Sequence, residues 1–189
     1  VNRDKPLNKH DHIVFNLDDG KQLRYNDTRK FGRMKLVSLD NYANELPLSK
    51  LGPEPFYADE KKLYEKLHKC NLPIKHALLD QSIIAGIGNI YANEICFAMG
   101  LDPYTPASKL TKKSVKELIE VASSILNEAI KQGGTTIHSF SANGIDGLFQ
   151  VKLKVHLQKK CSICGGEITK EAIKGRGTYY CKKCQKRRR

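Results

Sequence analysis

Between residues 12 and 39 apolar and polar positions alternate in short runs, the period of two shown by half-buried strands. His12 to Leu17 and Gln22 to Tyr25 flank Asp18-Asp19-Gly20. An Asp-Gly pair supplies the positive φ of a tight turn, so the stretch predicts a hairpin. Arg33 to Leu39 alternates well enough to predict a third strand. Three short strands bury little by themselves, so they are expected to belong to a larger sheet whose other strands are not in the sequence. From Leu51 the pattern becomes helical. Gly52-Pro53-Glu54-Pro55 breaks the chain, and Asp59 is suited to cap a helix running to about Cys70. Ile74 to Gln81 predicts a short apolar helix, and Ile90 to Met99 another after the turn Ala85-Gly86-Ile87-Gly88-Asn89. Thr111 caps a long helix to about Lys131, whose Val115, Leu118, Ile119, Ala122, Ile125, Leu126 and Ala129 share one face. Gly133-Gly134 ends it, and residues 139–150, rich in Gly, Asn and Ser, read as a loop.

Composition changes this picture only through charge. Forty per cent apolar and 28% charged residues describe an ordinary folded chain, and no run reaches the ~18–20 apolar residues of a membrane span. The net charge is +13, and residues 150–189 account for +11 of it, with 13 Lys and Arg against Glu167 and Glu171. Positive charge concentrated in one segment is the footprint of a polyanionic partner.

That basic segment carries Cys161, Cys164, Cys181 and Cys184, spaced C-x2-C-x16-C-x2-C. Two thiolates on each tight turn can reach one ion, and four complete a tetrahedron around zinc. Four protein ligands leave no open position, so one structural Zn2+ is expected. A disulfide pair or an iron–sulfur cluster is the alternative use of the same thiols. Lys174-Gly175-Arg176-Gly177 falls at the tip of a hairpin leading into Tyr179-Tyr180-Cys181, where a guanidinium can approach a phosphate closely. Upstream, Gly86-Ile87-Gly88-Asn89 opens a helix, and helix N-termini favour anions. Asn89 could cap that helix or donate its amide to a phosphate. Cys70 and Cys96 lie in helical patterns and read as inert thiols.

Several longer motifs then become specific in combination. In order along the chain they are NDTRKFG at 26–32, LGPEPF at 51–56, LLDQSIIAGIGNIYANEICF at 78–97, EAIKQGGTTI at 128–137 and the terminal GRGTYYCKKCQ. Together they resemble the bacterial formamidopyrimidine-DNA glycosylases over nearly the whole chain from about His10. The resemblance implies an α+β fold: the last strands of an incomplete β-sandwich in residues 1–50, a helix–two-turn–helix DNA-binding domain in 51–150, and a zinc-finger β-hairpin in 151–189. It implies that Arg176 grips phosphate and takes part in the elimination chemistry. Asn89 would hold a phosphate beside the lesion. Arg29 and Phe31 would enter the duplex after the damaged base flips out, the arginine pairing with the orphaned cytosine and the ring wedging the stack. His10, Lys69 and His138 complete the expected DNA contacts, and the loop at 139–150 would close over an oxidised purine. The implied partner is double-stranded DNA with oxidised bases or abasic sites. The protein is expected to be monomeric, cytoplasmic and associated with the bacterial nucleoid.

Departures from the family pattern bear on activity. The family's nucleophile is an amino-terminal proline followed by glutamate, whereas this sequence opens Val1-Asn2. Imine formation needs a free amine nucleophile, so these residues by themselves are expected to bind DNA and not to excise a base. His156 stands where tyrosine is usual, and the connection from His156 to Cys161 is shorter than the family's. The rival readings are a non-enzymatic module that senses DNA damage and a zinc-ribbon protein that binds RNA.

Overall fold

The computed structural model describes residues 1–135 and 149–188. These fall into two compact units, Val1–Glu45 and Leu46–Arg189.

In the first unit, β1 (Asp11–Asn16) pairs antiparallel with β2 (Gln22–Asn26), with an irregularity between Asp11 and Ile13. The Asp-Gly turn forms as the sequence predicts. Neither strand contains a fully buried residue. Polar anchors hold this unit instead. The Arg24 guanidinium donates to the carbonyls of Lys5 and Pro6 and to Gln22 Oε1, with Asp11 3.7 Å away. Arg24 thereby ties the segment before β1 to the hairpin. The third strand expected at Arg33 to Leu39 does not form. A strand exists only where a neighbour completes its hydrogen bonds, and among the described residues none pairs with this stretch. Its apolar side chains stand open accordingly, Leu36 at 99% and Leu39 at 88% exposure.

The second unit is built on helices. In α1 (Glu60–His68), Asp59 Oδ1 accepts from Lys62 N–H at 2.8 Å, the expected N-cap. Next come α2 (Ile74–Leu79) and α3 (Asn89–Ala98). The longest, α4 (Lys112–Lys131), begins where Thr111 Oγ1 accepts from Ser114 N–H. Its predicted apolar face is the buried one: Val115, Leu118, Ala122, Leu126 and Ala129 are inside, with Ile119 and Ile125 at the margin. All but Ala129, which packs with Leu153, join Leu63 and Leu67 of α1, Ile74 and Leu78 of α2, and Ala92, Ile95 and Cys96 of α3. Burial of a side chain of this size contributes about 1.5–3 kcal/mol, so the core, not local propensity, fixes the helix positions. Among the described residues no helix is long and apolar enough to cross a membrane.

The basic segment ends in a second hairpin, β3 (Thr169–Ile173) and β4 (Arg176–Tyr180). Its two-residue turn has Lys174 at φ 45° and Gly175 at φ 77°, the double positive φ that matches the twist of the strands. A small cluster of Phe97, Val155, Cys161 and Cys181 seats it against α3. The chain then returns: Lys186 N–H donates to Gly100 O and Asp102 N–H to Lys186 O. Helices and this hairpin are therefore packed together within the Leu46–Arg189 unit. Among the described residues the sheets are the two hairpins, β1–β2 and β3–β4, and neither closes into a barrel.

Candidate nucleic-acid interface

The four cysteines come together as the spacing requires. Their sulfurs all lie within 4.8 Å of one another, with Cys161 Sγ to Cys184 Sγ at 3.7 Å and Cys164 Sγ to Cys181 Sγ at 3.6 Å. A tetrahedron with Zn–S bonds of about 2.3 Å has sulfur–sulfur edges of about 3.8 Å. The donor set therefore fits one structural zinc. The knuckles are prepared by the backbone: Cys161 N–H donates to Gly166 O, Gly165 N–H to Cys161 O, and Gln185 N–H to Cys181 O. Gln185, fully buried, also receives Cys181 N–H on Oε1 and donates to Leu101 O.

The tip of the hairpin is fixed from two helices at once. The Gly177 carbonyl accepts from Lys75 Nζ of α2 at 2.8 Å and from Asn89 Nδ2 of α3 at 3.1 Å. Lys75 Nζ also donates to Thr178 Oγ1 at 2.7 Å, and that hydroxyl donates to the Arg176 carbonyl at 3.0 Å. Lys75 is 1% exposed. Burial pulls its ammonium down from the usual lysine range to about 8, Cys96 opposing the fall and Arg176 adding to it. Arg176 itself is exposed at the first position of β4. Two of the expected phosphate ligands, Asn89 and Arg176, are thus brought together through one carbonyl.

Gly88, and not Asn89, occupies the N-cap of α3, and its cap lacks a side-chain hydrogen bond. The amides of the first turn of a helix have no intrahelical acceptor, so this end remains electropositive. The turn before it is wired by Gln81, whose Oε1 accepts from Gly86 N–H while Nε2 donates to Ile87 O. Asn89 Oδ1 is buried with no partner among the described residues.

Further along α3, two side chains clamp the approach to the zinc knuckle. Glu94, 5% exposed, accepts the backbone N–H groups of Lys154, Val155 and His156. Asn93 donates from Nδ2 to His156 Nδ1 at 2.8 Å and accepts Tyr179 N–H at 3.4 Å. His156 stacks edge-on against Tyr179. Burial, with the nearby Lys75 charge, drives its imidazole down to about 4. The ring is therefore neutral, with the proton on Nε2.

On the outer face of the hairpin, Glu171 accepts the hydroxyls of Tyr104 and Tyr180 and pairs with Lys182. These donors hold its carboxyl below the usual glutamate range, those from Tyr104 and Lys182 above all.

The other expected residues are placed separately. Lys69 is the exposed C-cap of α1 and belongs to neither the hairpin tip nor the start of α3. His10, Arg29 and Phe31 all belong to the Val1–Glu45 unit. The His10 carbonyl accepts Asp27 N–H there, and the Arg29 guanidinium lies 4.6 Å from the Phe31 ring centre. His138 and most of the glycine-rich loop lie outside the described residues. Sequence reasoning missed Lys75, Asn93 and Glu94. A lysine inside the apolar run Ile74–Leu79 was the one available signal, since lysine is almost never fully buried without a partner.

Comparison with known proteins agrees with this architecture. Residues 51–141 match the formamidopyrimidine-DNA glycosylase H2TH domain, residues 158–187 the zinc finger found in FPG and IleRS, and residues 1–34 the formamidopyrimidine-DNA glycosylase N-terminal domain. The formamidopyrimidine-DNA glycosylase of Bacillus licheniformis is 45% identical over 97% of this chain and 69% of its own length. That of Bacillus subtilis is 43% identical over 96% and 68%. Among solved structures, a point mutant of the Lactococcus lactis FPG in complex with a Fapy-dG-containing DNA superposes with a TM-score of 0.90 at 40% identity, covering 98% of this chain and 70% of that one. The Thermus thermophilus protein gives 0.87 at 33% identity, covering 95% and 70%. With its helical domain, its four-cysteine hairpin and these relatives, the chain belongs to the bacterial formamidopyrimidine-DNA glycosylase family.

Proposed function

We propose that this chain supplies the DNA grip of a base-excision-repair glycosylase that removes oxidised purines, with lyase activity at the resulting abasic site in the whole protein. The observation that carries the reading is the junction at Gly177. Lys75 and Asn89 hold that carbonyl from two helices, so the neighbouring Arg176 sits beside the electropositive start of α3. A guanidinium next to a helix N-terminus makes one phosphate-binding face out of two elements. The Lactococcus lactis relative has been solved with DNA containing Fapy-dG and with DNA containing an abasic site, which supports a damaged duplex as the partner.

Within this reading Asn89 and Arg176 clamp the phosphates beside the flipped nucleotide, and Arg176 assists the elimination. To reach phosphate, the Asn89 amide would share or exchange its bond to Gly177. Arg29 and Phe31 fill the gap left by the flipped base, offsetting part of the few kcal/mol that unstacking costs. His10, Lys69 and His138 contact the backbone. The domain joints fall near residues 50 and 150, and the protein acts as a monomer at the bacterial nucleoid. The amine that attacks C1′ has no counterpart among these 189 residues, so by themselves they bind and do not excise.

Titration of a fluorescent duplex tests the reading. Affinity should fall linearly on a log–log scale with salt, with a slope of about 0.9 per phosphate neutralised. Arg176→Ala should weaken binding to all duplexes about equally, whereas Phe31→Ala should lose preference for an abasic site. A flat salt dependence, or equal loss of lesion preference in both variants, would contradict the assignment.

A further inference from the structure

After β2 the chain makes a five-residue loop, Thr28-Arg29-Lys30-Phe31-Gly32, and one carboxylate organises nearly all of it. Asp27 Oδ1 accepts the backbone N–H groups of Arg29 and Lys30, each at 2.9 Å. Its Oδ2 accepts Gly32 N–H at 2.8 Å and the Tyr25 hydroxyl at 3.1 Å. The backbone of Asp27 is itself fastened to the hairpin: its N–H donates to His10 O at 3.0 Å, and His12 Nε2 donates to its carbonyl at 2.9 Å. Four donors on one carboxylate favour the charged form, and the carboxyl lies at about 2, the bond from Gly32 being the leading cause.

The loop is also shaped sterically. Lys30 takes a left-handed conformation at φ 56°, which a non-glycine residue adopts only where its surroundings enforce it. At Gly32 a Cβ would stand 1.4 Å from Tyr25 Oη, so no larger residue fits while Tyr25 holds Asp27. On this fixed backbone Phe31 is 73% exposed, covered on one face by the Arg29 guanidinium. An exposed aromatic ring on a locked loop has already lost the backbone freedom that ordering on DNA would otherwise cost.

We propose that Asp27 is the positioning residue of the Arg29–Phe31 pair: it holds the loop in its inserting shape before DNA arrives, with Tyr25 and Gly32 completing the brace. This inference rests on the reading of Arg29 and Phe31 as the residues that enter the duplex. Asparagine cannot replace the carboxylate, because its single oxygen serves one side of the loop and its amide group then faces the donors on the other.

The test uses the 189-residue chain and two duplexes, one undamaged and one with a tetrahydrofuran abasic-site analogue. Asp27→Asn is expected to lower the preference for the abasic duplex about tenfold, as preorganisation predicts, with affinity for the undamaged duplex unchanged within about twofold. Tyr25→Phe, which leaves three donors, is expected to show a smaller loss. Amide hydrogen exchange supplies a second readout. Arg29, Lys30 and Gly32 should exchange faster in Asp27→Asn while the paired amides of β1 and β2 keep their wild-type rates. Phe31→Ala separates the two levels of the argument. If it retains the abasic preference, the insertion reading fails and this inference with it. If it loses the preference and Asp27→Asn does not, the insertion reading stands and the role of Asp27 is overturned. Faster exchange across both strands in Asp27→Asn would also overturn it, by showing a structural residue of the hairpin and not a brace of the loop.

Discussion

Two antiparallel hairpins in this molecule each present an exposed arginine, and they are stabilised in opposite ways. The β3–β4 hairpin buries Ile173, Thr178, Tyr180 and Cys181, closes on a four-thiolate site and receives a buried lysine from α2. The β1–β2 hairpin buries no residue fully and is held by Arg24 and Asp27 through hydrogen bonds at its surface. One device fixes Arg176 by metal, packing and a desolvated charge. The other fixes Arg29 and Phe31 by a single carboxylate. In its proposed role as a phosphate clamp Arg176 must resist the pull of a polyanion, which favours a deep anchor. In their proposed role of entering a gap Arg29 and Phe31 need only a preset backbone, and a polar brace suffices.

The metal should make the largest difference between them. Cys181→Ser, or removal of zinc with a chelator, is expected to unfold the β3–β4 hairpin, since the binding energy of a structural zinc, on the order of 10 kcal/mol in small modules, is in effect folding energy. Zinc content should drop, trypsin should cut near Lys174, and duplex binding should be lost. The amides of β1 and β2 should keep their protection, because their anchors contain no thiol. Loss of protection in both hairpins would erase the contrast.

Acid should act next, through His156. Its folded-state value of about 4 lies below the ordinary 6.5, so between these pH values the unfolded chain binds the proton that the folded chain refuses. The stability of the Leu46–Arg189 unit is therefore full above pH 6.5 and falls as pH drops toward 4, by at most about 3 kcal/mol. Denaturant midpoints of the wild type and His156→Gln measured across this window check it. The variant should show a shallower acid slope, and parallel slopes would refute the assignment.

What the sequence disclosed and what it hid follow the same division. Asp59, Thr111 and the apolar face of α4 act within a few residues of themselves, and each was legible as a local pattern. The cysteine spacing was legible because tetrahedral coordination restricts how thiolates can be arranged. The clamps were not. Lys75 meets Gly177, Asn93 meets Tyr179, and Glu94 meets Lys154, Val155 and His156, contacts that join distant segments and leave no period in the chain. The third strand failed for the complementary reason: alternation at Arg33 to Leu39 describes a strand, but pairing needs a neighbour, which alternation does not supply. Asn89 was legible as polar chemistry at a helix start, though its tie to the hairpin tip was not.

A smaller effect is expected at Lys75. Lys75→Met removes a desolvated ammonium, while Gly177 O keeps its bond from Asn89 and the Thr178 hydroxyl keeps its bond to the Arg176 carbonyl, so neither partner is left without a hydrogen bond. The thermal midpoint should move little, while affinity for every duplex should fall about tenfold as Arg176 loses its fixed backbone. A strongly lowered midpoint with unchanged affinity would place Lys75 in the scaffold and not in the clamp.

Asn89 and Arg176 are proposed to act as one phosphate-binding unit through the Gly177 carbonyl. A double-mutant cycle in duplex affinity, with Asn89→Ala, Arg176→Ala and the pair measured at one salt concentration, tests it most directly. A single unit gives a coupling of about 1 kcal/mol or more, as residues in one hydrogen-bond network show. Effects that add to within about 0.5 kcal/mol would mean two independent contacts and would contradict it.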